Sequence, residues 1–168
     1  MDRKEKLANV VKAIEEKFGD KVLESGGYAG DTLITVDKSV IHDVCSFLKE
    51  SHHFDYLVDL FGTDRFTSGD RFEVIYNIFS LKHAIRIFIK TRIPEENPVL
   101  PTTSDIWEAA NWNEREVWDM FGIKFDGHPD LRRMFMPEDF KYHPLRKEFP
   151  LLGIPGSIPL PTTTPNTE

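Results

Sequence analysis

The sequence predicts an α+β fold: a two-layer sandwich with a mixed five-strand sheet and two helices on one face. An irregular segment and an extended C-terminal tail follow. Two observations predict the sandwich. Apolar residues recur first at helical spacing and later at every second position, a change of period from 3.6 to 2. The elements also run helix, two strands, helix, three strands, which is not the regular alternation of a parallel βαβ sheet. A third observation divides the chain. Composition changes after "PEENPVLPTTSD" and again at Pro150, so we expect an α+β domain over 1–93, a segment packed on it over 94–149, and a tail over 150–168.

Each element has a local reason. Leu7, Val10, Val11, Ile14 and Phe18 lie on one face of a helix near 2–18, with Asp2 and Glu5 spaced as a capping pair and Gly19 closing it. "KVLES" and "DTLITV", divided by "GGYAG", read as a hairpin with a glycine-rich turn. Asp37 or Ser39 can cap a helix near 38–50 whose inner face is Val40, Ile41, Val44, Cys45, Phe47 and Leu48, which makes Cys45 core filler. "FDYLVDLFGT", "RFEVIYNIFS" and "HAIRIFIKTRI" are three strands joined by the hairpin loop "DRFTSGD" and the turn "SLKH". In the last of them Ile85, Ile87 and Ile89 alternate with Arg86, Phe88 and Lys90. The stretch "IWEAANWNEREVWDMF" can form one or two short helices. Pro150, Pro155, Pro159, Pro161 and Pro165 then exclude a helix or a central strand, so the tail is extended.

Bulk properties exclude several functions. A chain of 168 residues with 40% hydrophobic and 29% charged content suits one compact domain with an appendage. A net charge of −7 argues against nucleic acid as partner, because such proteins present a basic face. The single cysteine forms no internal disulfide and belongs to no cluster that would hold zinc or an iron–sulfur centre. No run of about 18 apolar residues exists to span a bilayer. "MDRKEKLANVVKAIEEKFG" resembles neither a signal nor a transit peptide, so a cytosolic location, free or on a membrane face, is expected. No glycine-rich phosphate loop follows a strand.

Three charged constellations remain. His52-His53 with Glu50 could bind a metal, but a bundle metal site needs its motif twice, and a polar helix exit is the simpler reading. Glu114, Arg115, Glu116 and Asp119 could ligate a metal or serve as acid and base. Their alternating signs suit a salt-bridge network instead, with Arg115 and Asp119 as an i,i+4 pair. The stretch "GHPDLRRMFMPEDFKYHPLRK" holds His128-Pro129 and His143-Pro144. Each proline pushes its histidine into extended backbone. Arg132, Arg133, Arg146 and Lys147 are offset by Asp130, Glu138, Asp139 and Glu148, so no phosphate site is indicated. No Ser, Cys or Tyr lies in 127–141 for His128 to activate. Planar donors, carboxylates and large apolar groups in one segment point to a structured docking surface.

"EREVWDMFGIKFDGHPDLRRMFMPEDF", followed by "HPLRKEFPL", strongly resembles the thirty-kilodalton (C) subunit family of respiratory complex I, the NADH-quinone oxidoreductases. The match falls on Glu114, Arg115, Glu116, Asp119, Met120, Phe121, Gly127, His128, Pro129, Arg132, Arg133, His143, Pro144, Leu145, Arg146 and Lys147, and is densest from Trp107 to Leu151. Met134-Phe135 departs from it, where the family more often has an aliphatic pair. The resemblance implies a non-catalytic peripheral-arm subunit on the cytoplasmic side of the cell membrane, attached through a proton-translocating complex. It implies no cofactor on this chain, with FMN, iron–sulfur clusters and quinone held by other hydrophilic subunits. The partner above all is the subunit that helps form the quinone pocket. Related subunits of membrane-bound nickel–iron hydrogenases and deazaflavin-dependent quinone-reducing complexes share much of the pattern and are the alternative. A stand-alone metal-dependent enzyme using His128 and the Glu114–Asp119 carboxylates is a third reading, of a different class. For the ten residues Glu114, Arg115, Glu116, Asp119, His128, Arg132, Arg133, His143, Arg146 and Lys147, the expected role is partner docking.

Overall fold

A computed structural model describes residues 2–28, 30–67 and 69–154. Helix α1, Arg3–Phe18, begins where the Asp2 carboxylate accepts the Arg3 N–H at 2.7 Å. It ends at Gly19, whose φ of 51° favours a residue without a side chain. Asp2 therefore caps the helix directly, without the reciprocal partner expected in Glu5. Strands β1, Val22–Tyr28, and β2, Asp31–Val36, form the expected hairpin, although Gly26 and Gly27 lie within β1 rather than in the turn. Asp37 then accepts from the Ser39 N–H at 2.9 Å and the Ser39 hydroxyl at 2.6 Å. This starts a single 3₁₀ turn ahead of α2, Ile41–His52. His53 closes α2 in the left-handed conformation, so the histidine pair is the helix exit.

Strands β3, Tyr56–Asp64, β4, Phe72–Ser80, and β5, Ile85–Ile93, complete a sheet of order β1-β2-β5-β4-β3. All neighbours are antiparallel except β2 and β5, which run parallel at the centre, so the sheet is mixed as expected. Register puts Ile34, Ile89 and Tyr76 side by side on one face, with Ile87 beside Ile78 and Ile93 beside Phe72. Val10 and Ile14 of α1 and Ile41, Val44, Cys45 and Leu48 of α2 close over that face in a single core. Cys45 is buried there, as expected. Each fully buried isoleucine contributes roughly 1.5–3 kcal/mol relative to exposure.

The segment after residue 93 is more regular than the sequence suggests. Strand β6, Val99–Pro101, pairs in parallel with β7, Lys124–Asp126, and between them lies α3, Ala110–Phe121. Helix α3 joins the same core through Val117, Met120 and Phe121, so three helices cover one face among the described residues. Gly62 lets it approach β3: a Cβ there would stand 2.9 Å from the Phe121 ring. No helix among the described residues is long and apolar enough to cross a membrane. Most of the expected tail, residues 155–168, lies outside the described residues.

Candidate docking site

Helix α3 ends with four backbone carbonyls that need partners from outside the helix. The segment that follows supplies them. The Gly122 N–H donates to the Trp118 carbonyl at 2.8 Å, with Gly122 at φ 77°. His143 Nδ1 lies 3.0 Å from the Asp119 carbonyl, the Leu145 N–H donates to Met120 at 3.1 Å, and Arg146 Nε donates to Phe121 at 2.6 Å. "HPLR" is thus a cap for the C-terminus of α3, and its cation sits where the helix dipole favours positive charge. A Cβ on Gly122 would come within 2.6 Å of His143 Nε2 and 2.8 Å of Arg146 Nη2, so only glycine allows this cap to close.

The Asp119 side chain organises the other half. Its Oδ2 accepts the N–H groups of Met134 at 3.0 Å, Phe135 at 2.7 Å and Met136 at 3.0 Å, while Oδ1 accepts from Arg133 at 2.7 Å. Burial alone would raise this carboxyl, but the guanidinium and the three amides outweigh it and hold Asp119 below the usual range. Arg133 also donates to the Tyr142 carbonyl at 3.1 Å and to that of Phe140. The expected Arg115–Asp119 pair does not form. Arg115 turns instead to the carbonyls of Arg132 and Arg133, both at 3.2 Å, with Trp112 beneath its guanidinium.

Glu114 is fully buried and holds the chain leaving β6. It accepts from the Thr103 N–H at 2.7 Å, the Thr103 hydroxyl at 2.8 Å and the Thr102 hydroxyl at 2.5 Å. Burial pushes its carboxyl up despite these three donors. His128, its side chain fully buried, lies 4.0 Å from Glu114. The His128 Nδ1 accepts the Asp130 N–H at 3.0 Å while Nε2 faces the Asn111 carbonyl at 3.0 Å, so the ring sits as the Nε2–H tautomer.

Seven of the ten expected docking residues therefore have their polar groups engaged within the chain: Glu114, Arg115, Asp119, His128, Arg133, His143 and Arg146. Glu116, Arg132 and Lys147 point outward, with Arg132 holding only its neighbour Asp130, at 2.7 Å. Large apolar groups are exposed in the same segment, among them Phe135 (58%), Leu145 (52%) and Tyr142 (45%). Sequence reasoning missed Thr102, Thr103, Asp64, Arg71, Glu95 and Glu148. Their partners lie up to 83 residues away, and only the charges flanking the "DRFTSGDR" loop hinted at Asp64 and Arg71.

Fold and site together define an α+β domain whose charged motif braces a presented segment from within. Residues 34–154 match the model of the family described as the respiratory-chain NADH dehydrogenase 30 Kd subunit. The second C-type NADH-quinone oxidoreductase subunit of Rhizobium meliloti is 46% identical over 143 residues, covering 84% of this chain and 78% of that one. The C-type subunit of the same enzyme in Geobacter sulfurreducens is 38% identical over 141 residues, covering 83% and 87%. Among solved structures, a trypsin-resistant fragment of Nqo5 superposes with a TM-score of 0.66 at 33% identity, covering 75% of this chain and 99% of the fragment. A chain of the membrane-bound sulfane sulfur reductase, an archaeal respiratory membrane complex, gives 0.74 at 28% identity, covering 88% and 87%. The chain belongs to the respiratory-chain NADH dehydrogenase 30 Kd subunit family.

Proposed function

We propose that this chain is the thirty-kilodalton subunit of a proton-translocating NADH-quinone oxidoreductase, a scaffold rather than a site of electron transfer. The observation that carries the scaffold role is how the motif divides over residues 110–149. Glu114, Arg115, Asp119, Arg133 and Arg146 turn inward to brace backbone, while Trp112, Phe135, Tyr142 and Leu145 turn outward. Exposed apolar groups on a segment braced from within suit a protein interaction surface.

The partner we favour is the subunit that helps form the quinone pocket, with FMN, iron–sulfur clusters and quinone held elsewhere in the complex. The chain would then sit at the cytoplasmic side of the membrane without entering it. His128 supports a structural role, because both its ring nitrogens are committed to backbone groups and neither faces a hydroxyl or thiol to activate. The likeness to the archaeal respiratory complex supports a second reading, the equivalent subunit of a related quinone- or sulfur-reducing assembly.

Deleting the gene and assaying the membranes decides between them. Loss of NADH-quinone reductase activity, restored by the wild-type gene, supports the first reading, and unchanged NADH oxidation supports the second. Cross-linking of Phe135 and Leu145 variants in the intact complex identifies the partner. Cross-links confined to a subunit without the quinone pocket would overturn that assignment.

A further inference from the structure

The tip of the β3–β4 hairpin holds a buried ion pair that lies outside the charged motif of residues 114–147. Asp64 is shielded from solvent and Arg71 nearly so. Asp64 Oδ1 accepts from Arg71 Nε at 2.9 Å and from the Phe66 N–H at 2.8 Å, and Oδ2 accepts from Arg71 Nη2 at 2.7 Å. This bidentate fork leaves one lone-pair direction on Oδ2, and the Lys147 N–H fills it at 2.8 Å, reaching across 83 residues of sequence. The same guanidinium donates to Glu95 Oε1 at 2.6 Å, in the chain leaving β5, and to Glu148. Beside it, Arg146 lies over the Phe72 ring, 5.1 Å from its centre.

One pair thus joins the hairpin tip, the exit of β5 and the end of the "HPLRKE" run. The cap on α3 secures residues 143–146 from one side, and from Arg146 it reaches the Phe149 N–H at 3.0 Å and the Glu148 carboxylate at 4.0 Å. Lys147 and Glu148 are held from the other side by Asp64 and Arg71. Past them the chain turns outward through Leu151 and Leu152, both exposed.

We infer that Asp64 and Arg71 are positioning residues that set where the docking segment ends and how the chain leaves it at Pro150. The inference rests on the reading that this segment docks on a neighbouring subunit. The chemistry needs an arginine. A lysine keeps the charge but offers one ammonium to three carboxylates and cannot fork onto Asp64. It also needs an ionised carboxylate at position 64, because an amide presents one acceptor oxygen where the structure uses two.

Hydrogen–deuterium exchange on the full chain, with assembly measured in parallel, tests this. The variants are Asp64→Asn, Arg71→Lys and Glu148→Gln, the last altering only a half-exposed arm of the network. In Asp64→Asn and Arg71→Lys, exchange at the Lys147 and Phe149 amides should rise by about tenfold or more while amides of β4 and β5 keep their protection. Glu148→Gln should raise it by a smaller factor with the melting temperature unchanged. Incorporation into the complex should fall in the same order. Unchanged exchange at 147–149 in all three variants overturns the inference, as does a rise spread evenly over β4 and β5. Exchange that rises at 147–149 while assembly stays normal upholds the positioning role and instead sinks the docking reading.

Discussion

The Asp119 carboxylate and the Arg133 guanidinium meet at 2.7 Å inside a turn of chain that neither could order alone. Asp119 comes from the last turn of α3 and gathers three successive amides, and Arg133 spans from it to the Phe140 and Tyr142 carbonyls. Asp119→Ala leaves a buried guanidinium without its counter-charge and three amides without partners. Breaking a buried pair in this way costs about 3–5 kcal/mol. Denaturant unfolding should show that loss, and a change below about 1 kcal/mol would mean that water replaces the carboxylate at little cost.

Arg132 and Arg133 are adjacent and chemically identical, yet only Arg133 is internal. Arg132→Ala should leave stability within about 0.5 kcal/mol of wild type, because its one partner, Asp130, is also exposed. It should nonetheless reduce the amount of assembled complex. Arg133→Ala should reduce both. Equal effects of the two substitutions on melting temperature would contradict the division of the motif into frame and surface.

Gly122→Ala tests the cap on α3. The substitution places a Cβ at φ 77° and drives it into His143 and Arg146. The left-handed strain alone costs about 1–2 kcal/mol, and displacement of the two side chains adds to it. Thermal melts should show the loss. Chymotrypsin should also cut the variant faster at Tyr142, and wild-type cleavage kinetics there would rule out the cap as the element that holds 143–146.

The pH dependence should show two limbs of opposite origin. Asp64 is held at about 2 against an ordinary 3.8: burial opposes this, but bonds from Arg71, Lys147 and Phe66 prevail. A depressed folded value means stability that is present above 3.8 and lost as pH falls toward about 2. Asp64→Asn should therefore flatten the acid limb. Glu114 runs the other way, because burial raises it. Its contribution is fully present below the ordinary carboxylate value and is lost as pH rises through the higher folded value. Glu114→Gln should remove that decline, and melting temperatures taken from acid to neutral pH check both slopes.

Removing residues 155–168 should leave the melting temperature unchanged, since the core, the cap on α3 and the Asp64–Arg71 pair all lie before residue 150. Assembly into the complex should weaken, because Ile158 and Leu160 are apolar residues among prolines that lower the entropic cost of ordering the chain on a partner. Full assembly of the shortened chain would assign docking to residues 110–154 alone.

The amino-acid sequence by itself determined the helices α1 and α2, the five strands, the single buried cysteine and the family. Those features rest on the period of apolar residues, on local caps such as Asp2 and Asp37, and on a dense run of motif residues. The tertiary structure alone decided what the charged residues of that motif do. Glu114 and Glu116 stand two positions apart, and Arg132 and Arg133 are neighbours, so composition and spacing cannot separate them. What separates them is the partner each meets: Thr102 and Thr103 for Glu114, and Asp119 for Arg133. The i,i+4 reading of Arg115 and Asp119 failed for the same reason, since a weak helical pair yields to stronger partners brought in by distant chain. A charge is buried only where the fold delivers its complement, and that delivery is a property of long-range packing.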